Sequence, residues 1–224
     1  MEGVVYMRQI LVAITGASGA VYGLRLVEEL LASQYRVTLL LSRSGRQVVK
    51  HETGLDWQGS VEERREKMRR HFGCGEALEH YDENDMFAPP ASGSAAPMAM
   101  VVMPCSMGTV GRLAAGISGN LIERSADVAL KEGHTLLLVP RETPLSTIHL
   151  RNLLHLSRAG ARIVPAMPAF YGQPQSMAEL IDFMVGKVLD GLGIGHRLFR
   201  RWGMTHHDVS ARNRGKSRCR HASR

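Results

Sequence analysis

The chain has 224 residues, a formal net charge of +7 and only three cysteines. This length favours one large domain that buries its own core, and no apolar run approaches the roughly 20 residues of a membrane span. The cysteines (Cys74, Cys105 and Cys219) lie far apart without metal-ligand spacing, which excludes a disulfide framework and predicts a reducing, cytoplasmic setting with no metal site. Residues 1–8 lack the pattern of a secretory signal, and Met7 is an alternative start.

Most of the positive charge lies at the C-terminus. Residues 203–224 hold six lysines and arginines and a single aspartate, a net +5, so the rest of the chain is near +2. This composition predicts one folded domain over residues 1–203 and a basic, disordered tail over 204–224. A basic tail can attract nucleic acid, but we expect a solvated terminus and no nucleic-acid partner.

The first predicted element is a strand at residues 10–14, and it runs directly into the turn TGASGA at 15–20. Gly16 and Gly19 allow a tight turn and a close approach of the backbone to a ligand. A helical pattern follows over 21–32. The free N–H groups at the start of that helix favour an anion, usually a phosphate, and Ser18 adds a hydroxyl there.

Strands and helices alternate along the rest of the chain, whereas residues 54–80 are less defined. Further strands are predicted at 37–41, 98–103, 135–139 and 162–166, and helices at 47–52, 62–70, 121–131 and 148–159. Ser176 and Glu179 predict a capping box that opens a last helix. The alternation predicts an α/β fold, a doubly wound (Rossmann-like or flavodoxin-like), mostly parallel sheet with helices on both faces.

Hydroxyl side chains and glycines cluster at the predicted carboxyl ends of the strands, where ligands of such sheets bind. The residues at these ends are Gly16, Ala17, Ser18, Ser42, Arg43, Ser106, Met107, Gly108, Thr109, Arg141 and Glu142. This set predicts a phosphorylated ligand. An NAD site usually has Asp or Glu after its second strand, where this chain has Ser42 and Arg43, so FMN suits the donors better.

A second group of charged and polar side chains is a candidate for a neighbouring anion site. Its members are Arg124, Lys131, Arg141, Tyr171 and Lys187, with Glu52 and Glu142 as acid–base partners. The alternative is that Arg124 and Lys131 line a solvated helix face. Helical spacing alone does not decide between these readings.

Six segments closely resemble the UbiX-type flavin prenyltransferases, and the resemblance runs from about residue 8 to 203. They are TGASGA (15–20), APPASGS (88–94), PCSMGT (104–109), NLIERSADVALK (120–131), VPRETPLS (139–146) and PAFYGQP (168–174). The resemblance implies metal-independent transfer of a dimethylallyl group from dimethylallyl monophosphate to reduced FMN, which builds a fourth ring across N5 and C6. It also implies a homododecamer and a UbiD-type decarboxylase that receives the prenylated FMN.

The resemblance also implies roles for individual residues. Tyr171 and Lys187 would hold the allylic phosphate, helped by Arg124, Lys131 and Arg141. Glu52, Glu142 and Ser18 are the catalytic candidates, with the two glutamates handling protons. The residues implied to contact FMN are Gly16, Ala17, Ser18, Ser42, Ser106, Met107, Gly108, Thr109 and Arg141.

The chain departs from some members of that family at two places. Met86 and Phe87 stand in a loop where some relatives have tryptophan, and Lys187 stands where some have arginine. Lysine would hold a phosphate as a point charge rather than through two parallel hydrogen bonds. We expect residues 89–94 to form a hinge or interface loop, and Trp202 to cover a neighbouring site.

Two other functions fit parts of the sequence. An FMN-dependent cysteine-type decarboxylase of related architecture would need a catalytic histidine, and the nearest candidate, His80, is expected to be solvated. A non-enzymatic flavin carrier would not need the second cationic group. Turnover of the allylic phosphate separates both from a prenyltransferase.

Overall fold

A computed structural model describes residues 8–201 of the chain. Its strands are β1 (Gln9–Ile14), β2 (Arg36–Leu41), β3 (Leu78–Glu79), β4 (Ala99–Cys105), β5 (Thr135–Pro140) and β6 (Arg162–Ile163). Its helices are α1 (Ala20–Ala32), α2 (Arg43–Thr53), α3 (Val61–Phe72), α4 (Met107–Ala114), α5 (Leu121–Lys131), α6 (Thr147–Arg158) and α7 (Met177–Leu192). The predicted tail at 204–224, Trp202 and Met7 lie outside the described residues, so the domain limits 1–203 stay a prediction.

The strands form one sheet in the order β3-β2-β1-β4-β5-β6, and every neighbouring pair is parallel. The chain moves outward from β1 to one edge, returns to the centre at β4, and moves outward to the other edge. The adjacent strands β1 and β4 therefore lead into helices on opposite faces of the sheet, and a crevice opens at the carboxyl ends of these two strands. The predicted α/β, doubly wound fold is confirmed.

Alternate residues of the central strand explain why both faces of the sheet are covered. Ile10, Val12 and Ile14 of β1 pack into one apolar layer with α1, α2, α3 and α7. Leu11 and Ala13 pack into the other layer with α4, α5 and α6. A strand buried on both faces reads as a continuous apolar run, which is why this strand was predictable.

Several local predictions needed correction. The strand predicted at 98–103 continues to Cys105, and no helix was predicted at α4, whose eight residues include two glycines of low helix propensity. The less defined region includes the edge strand β3, and β6 is only two residues long. The Ser176 side chain does accept from Glu179 N, but the Glu179 carboxylate accepts from Gln175 N and not from Ser176 N, so the capping box is incomplete.

None of the helices between residues 8 and 201 is long and apolar enough to cross a membrane.

Candidate flavin and phosphate site

Three turns meet at the carboxyl edge of the sheet, after β1, β2 and β4, and each leads directly into a helix. The backbone of β1 leaves the sheet at Gly16, where an added Cβ would lie only 2.6 Å from the Cβ of Ser44. A side chain larger than hydrogen would therefore push the first and second turns apart. The sheet topology thus brings the predicted segments 16–18, 42–43 and 106–109 to one edge.

The N-terminus of α1, where the sequence predicted a phosphate, is bonded to a carboxylate of the same chain. Gly19, the residue before α1, has a left-handed φ of 104° and provides no side-chain cap. The Glu52 carboxylate from α2 accepts from Gly19 N at 3.0 and 3.1 Å and from Ala20 N at 2.8 Å. The helix dipole favours a carboxylate at this position just as it favours a phosphate. Glu52 is thereby fixed beside the turn at 16–18.

The other two helix N-termini are capped by the serines predicted to contact FMN. Ser42 Oγ accepts from Gly45 N at 3.0 Å, and Ser106 Oγ accepts from Thr109 N at 3.2 Å. The hydroxyls of Ser106 and Thr109 also lie 3.0 Å apart. The first N–H groups of α2 and α4 have no intrahelical acceptor and remain for a ligand.

Space for a ligand is present at Gly108. This residue is exposed, and a Cβ added to it would come no closer than 3.6 Å to another side chain. Hydroxyls, backbone N–H groups and an arginine are the donors that a phosphate and a ribityl chain require. The donor set of these turns therefore fits FMN.

Arg141 joins the turn after β5 to the other turns. Its backbone N–H donates to Cys105 O at 3.3 Å, and its Nε donates to Ser18 O at 3.1 Å. The neighbouring Glu142 carboxylate accepts from Thr143 N at 3.1 Å and is partly exposed. Ser18, Arg141 and Glu142 are thus brought together on one side of the crevice.

Tyr171 and Lys187 lie on the side of α7. The Tyr171 ring packs edge-on against Phe183, with 5.8 Å between ring centroids. Lys187 follows Phe183 by one helical turn and therefore lies on the same face of α7. It is exposed, and within residues 8–201 no carboxylate forms an ion pair with it. A cation of this kind is available to an incoming anion.

Arg124 and Lys131 are not brought to Lys187 within one chain. Both belong to α5, which packs on the opposite layer from α7. Arg124 Nε donates to Ala91 O at 3.1 Å and its Nη1 pairs with Asp127 at 2.8 Å, while Lys131 pairs with Glu132. The predicted second cationic group is therefore split between the two faces of the sheet.

His80 and Cys105, the histidine and cysteine considered for catalysis, are both buried and belong to the core of the protein. His80 is fully buried, which corrects the expectation of a solvated ring. Its Nδ1 bonds to Leu39 O at 2.8 Å, its Nε2 accepts from Arg64 Nε at 3.2 Å, and burial lowers its pKa to about 4. Burial also raises the pKa of the Cys105 thiol to about 12, so that thiol stays protonated at neutral pH. Residues 8–201 contain no cluster of three or more side chains suited to a metal ion.

One residue of the site was missed from the sequence. Thr15 is only 1% exposed, and its hydroxyl bonds to Pro104 near the end of β4 and to Ser106 just after it. A threonine next to a glycine-rich turn looks like an ordinary loop residue. Its partner lies 89 residues away in the chain, so no local pattern could reveal the contact.

Known proteins share this architecture and much of the sequence. The family model described as Flavoprotein matches residues 5–189. The flavin prenyltransferase UbiX of Alkalihalophilus pseudofirmus is 52% identical over 194 residues, which cover 86% of this chain and 94% of that protein. The structure of AnUbiX in complex with FMN and dimethylallyl pyrophosphate has a TM-score of 0.79 and 39% identity, covering 89% of this chain and all of that one. A dodecameric FMN-dependent UbiX-like decarboxylase from Escherichia coli has a TM-score of 0.76 and 37% identity, covering 88% of this chain and all of its own. The predicted resemblance is confirmed, and the chain belongs to the Flavoprotein family and, within it, to the UbiX-type flavin prenyltransferases.

Proposed function

We propose that this protein transfers a dimethylallyl group from dimethylallyl monophosphate to reduced FMN. The observation that carries the proposal is the crevice at the ends of β1 and β4, where FMN-type donors lie beside Glu52, Arg141 and Glu142. Membership of the flavin prenyltransferases supports the same chemistry. The cysteine-type decarboxylase is not favoured, because His80 is buried and already bonded on both ring nitrogens.

The flavin would be held by the backbone and hydroxyls of the three turns. We assign to it Gly16, Ala17, Ser18, Ser42, Ser106, Met107, Gly108, Thr109 and Arg141. When bound and reduced, FMN supplies the nucleophilic positions N5 and C6. Hydrogen bonds within the chain join the turns to one another, so the turns can orient the flavin through bonds that the flavin itself does not supply.

The allylic phosphate would be held by Tyr171, Lys187 and Arg141. When the allylic C–O bond breaks, the electron pair stays on the phosphate oxygen, and cations at that oxygen stabilise the developing charge. Glu142, next to Arg141, would donate a proton to the departing phosphate. N5 would lose its proton when it bonds to the allylic carbon, which balances the proton given to the phosphate. Ring closure would join C6 to one alkene carbon through the π electron pair and add a proton to the other alkene carbon. Glu52, held at the N-terminus of α1, would accept the proton lost from C6. The Ser18 hydroxyl would lie between the two proton-handling groups.

A neighbouring copy of the chain would supply Arg124 and Lys131. These cations lie on the face of the sheet opposite Lys187, so one chain does not bring all of them to one phosphate. In a symmetric oligomer the opposite face of one copy can meet the crevice of the next. We propose a homododecamer, the assembly of the E. coli relative.

Two further parts of the proposal concern the cell. We propose that prenylated FMN passes to a UbiD-type decarboxylase, because the modified flavin has no further use in this reaction. We also propose a cytoplasmic location. The half-buried Cys74 and the buried Cys105 are both free thiols, as expected in a reducing compartment.

The test is anaerobic incubation of the purified protein with reduced FMN and dimethylallyl monophosphate, followed by mass spectrometry of the extracted flavin. The expected result is a mass gain of one five-carbon unit. A parallel incubation with the pyrophosphate, the compound in the AnUbiX structure, determines which leaving group the site accepts. Flavin that binds tightly but keeps its mass with both donors would contradict the proposal and favour a flavin carrier.

A further inference from the structure

We propose that Thr15 is a positioning residue that sets the distance between the first and third flavin turns. The inference rests on the proposed function, since it concerns the same FMN site. Thr15 lies between β1 and the turn at 16–18, and its side chain is 1% exposed. It does not point at the ligand space, so it would act through the turns that it joins.

The hydroxyl of Thr15 both donates and accepts. Its Oγ1 donates to Pro104 O at 2.9 Å, and it accepts from Ser106 N at 2.8 Å. The backbone N–H of Thr15 donates to the same Pro104 oxygen at 3.2 Å. One buried side chain therefore bonds on both sides of Cys105, just before the cap of α4.

This contact replaces the ladder of the sheet where the ladder stops. The register of β1 and β4 ends at Ala13 and Val102, and the register of β4 with its other neighbour, β5, shifts between Val102 and Cys105. Beyond that point, the Thr15 bonds to Pro104 and Ser106 continue the connection between the two chain segments. The turns at 16–18 and 106–109 thus keep a fixed separation through Thr15.

The consequence for the site follows from what Ser106 does. Ser106 caps α4 and its hydroxyl lies 3.0 Å from that of Thr109, so a shift of Ser106 moves two of the proposed FMN donors. An apolar replacement of Thr15 would leave the partly buried Ser106 N–H without its acceptor. That group would then seek another acceptor, and the turn would lose its position.

The chain offers a matched control at Thr38. This threonine lies in β2, is fully buried, and its Oγ1 accepts from Gln9 Nε2 at 2.8 Å. Thr15→Val and Thr38→Val each remove one buried hydroxyl without changing the side-chain size. Only Thr15 joins two turns of the site. A general loss of stability should therefore be common to both variants, whereas a loss of positioning should not.

The experiment compares the full-length wild type with Thr15→Val, Thr15→Ser and Thr38→Val. Oxidised FMN is titrated by fluorescence quenching, the visible absorption band of the bound flavin is recorded, and the melting temperature without FMN is measured. Thr15→Val should weaken FMN binding by about tenfold or more and shift the flavin band. Thr15→Ser, which keeps the hydroxyl, should restore most of the affinity, and Thr38→Val should lower the melting temperature without changing FMN affinity.

Equal FMN affinities for Thr15→Val and Thr38→Val, with wild type binding normally, would overturn the positioning role alone. A wild type that does not bind FMN would overturn the proposed function and this inference together. If Thr15→Val does not fold, Thr15→Ser is compared with Thr15→Cys, because a thiol is a weak donor and acceptor. Indistinguishable FMN binding by those two variants would then count against the inference.

Discussion

The turns proposed to hold FMN are bonded to one another within one chain, whereas the cations proposed to hold the allylic phosphate are spread over two faces of the sheet. Thr15, Glu52 and Arg141 connect the flavin turns through eight hydrogen bonds of 2.8 to 3.3 Å. By contrast, Lys187 is exposed on α7 and Arg124 is bonded to a loop on the other layer. We refer to these as the flavin half and the phosphate half of the site.

The two halves of the site therefore have different requirements for binding their ligands. The hydrogen bonds that join the turns of the flavin half lie within a single chain, and we expect this half to bind FMN without a phosphate donor. The phosphate half needs a second copy of the chain if all of its cations are to act on one substrate. Variants of the phosphate half should therefore lose transfer while keeping FMN affinity.

The largest effect is expected from Glu142→Gln, which removes the proton donor between the two halves. Turnover should fall by about 10²–10⁴-fold, the usual contribution of a positioned general acid. FMN affinity should stay within about twofold, because the amide keeps the size of the side chain and no proton is transferred in binding. Rates come from mass spectrometry of the flavin at timed intervals. A Glu142→Gln enzyme with wild-type turnover would remove Glu142 from the mechanism.

Lys187→Ala and Arg124→Ala together test how the phosphate half is assembled. Each variant alone should lose about 10²–10³-fold in kcat/KM for the allylic phosphate, as expected for removal of one charge-stabilising group. If the two residues act in one site from different chains, dissociating and reassembling an equal mixture should restore about a quarter of the sites. Lys187→Arg is the conservative control, since it keeps the charge.

The mixed oligomers distinguish a phosphate site shared between two chains from one formed within a single chain. Subunit exchange in the mixed oligomers must first be shown. If their activity then stays at the level of the separate variants, either Lys187 and Arg124 act in the same chain or Arg124 has only its local role. That role is visible in the bonds from Arg124 to Ala91 and Asp127. The result would then remove the distinction between the halves.

A smaller effect, on stability rather than turnover, is expected from His80, whose buried ring bonds to Leu39 O of β2. Burial lowers its pKa from 6.5 to about 4. The unfolded chain therefore binds more protons than the folded chain between these values. The contribution of the neutral, buried His80 ring to the free energy of unfolding is complete above pH 6.5 and is lost as the pH falls towards 4. The shift corresponds to about 3 kcal/mol of unfolding free energy.

Denaturant unfolding at fixed protein concentration, from pH 7 down to pH 4.5, measures this loss. His80→Gln should show a shallower dependence on pH, because it removes the titrating group. The exposed His155 on α6 provides the control, and His155→Gln should keep the wild-type slope. Identical slopes for all three proteins would show that the pKa of His80 is the same in the folded and unfolded states.

Local patterns predicted the frame and the flavin half better than the phosphate half. The run at 10–14 and the turn at 15–20 are contiguous, and parallel topology brings the ends of β1, β2 and β4 together. The positions of Glu52 and Thr15 depend on partners 32 to 91 residues away, which no periodicity encodes. The faces on which α5 and α7 pack are likewise set by the crossovers of the chain. Arg124 and Lys187 could therefore be named from family motifs but not placed.

The smallest effect is expected from removing residues 204–224, whose basic charge belongs to neither half. Deletion should leave FMN affinity and turnover within about twofold of wild type, because neither the flavin turns nor Lys187 requires that charge. Binding of a DNA or RNA duplex, measured in parallel at low and physiological salt, should be weak in the full chain and absent after deletion. Truncation that lowers turnover strongly without changing FMN affinity would show that the tail adds cations to the phosphate half. Loss of FMN affinity would instead assign residues 204–224 to the flavin half, which would then not consist of the three turns alone.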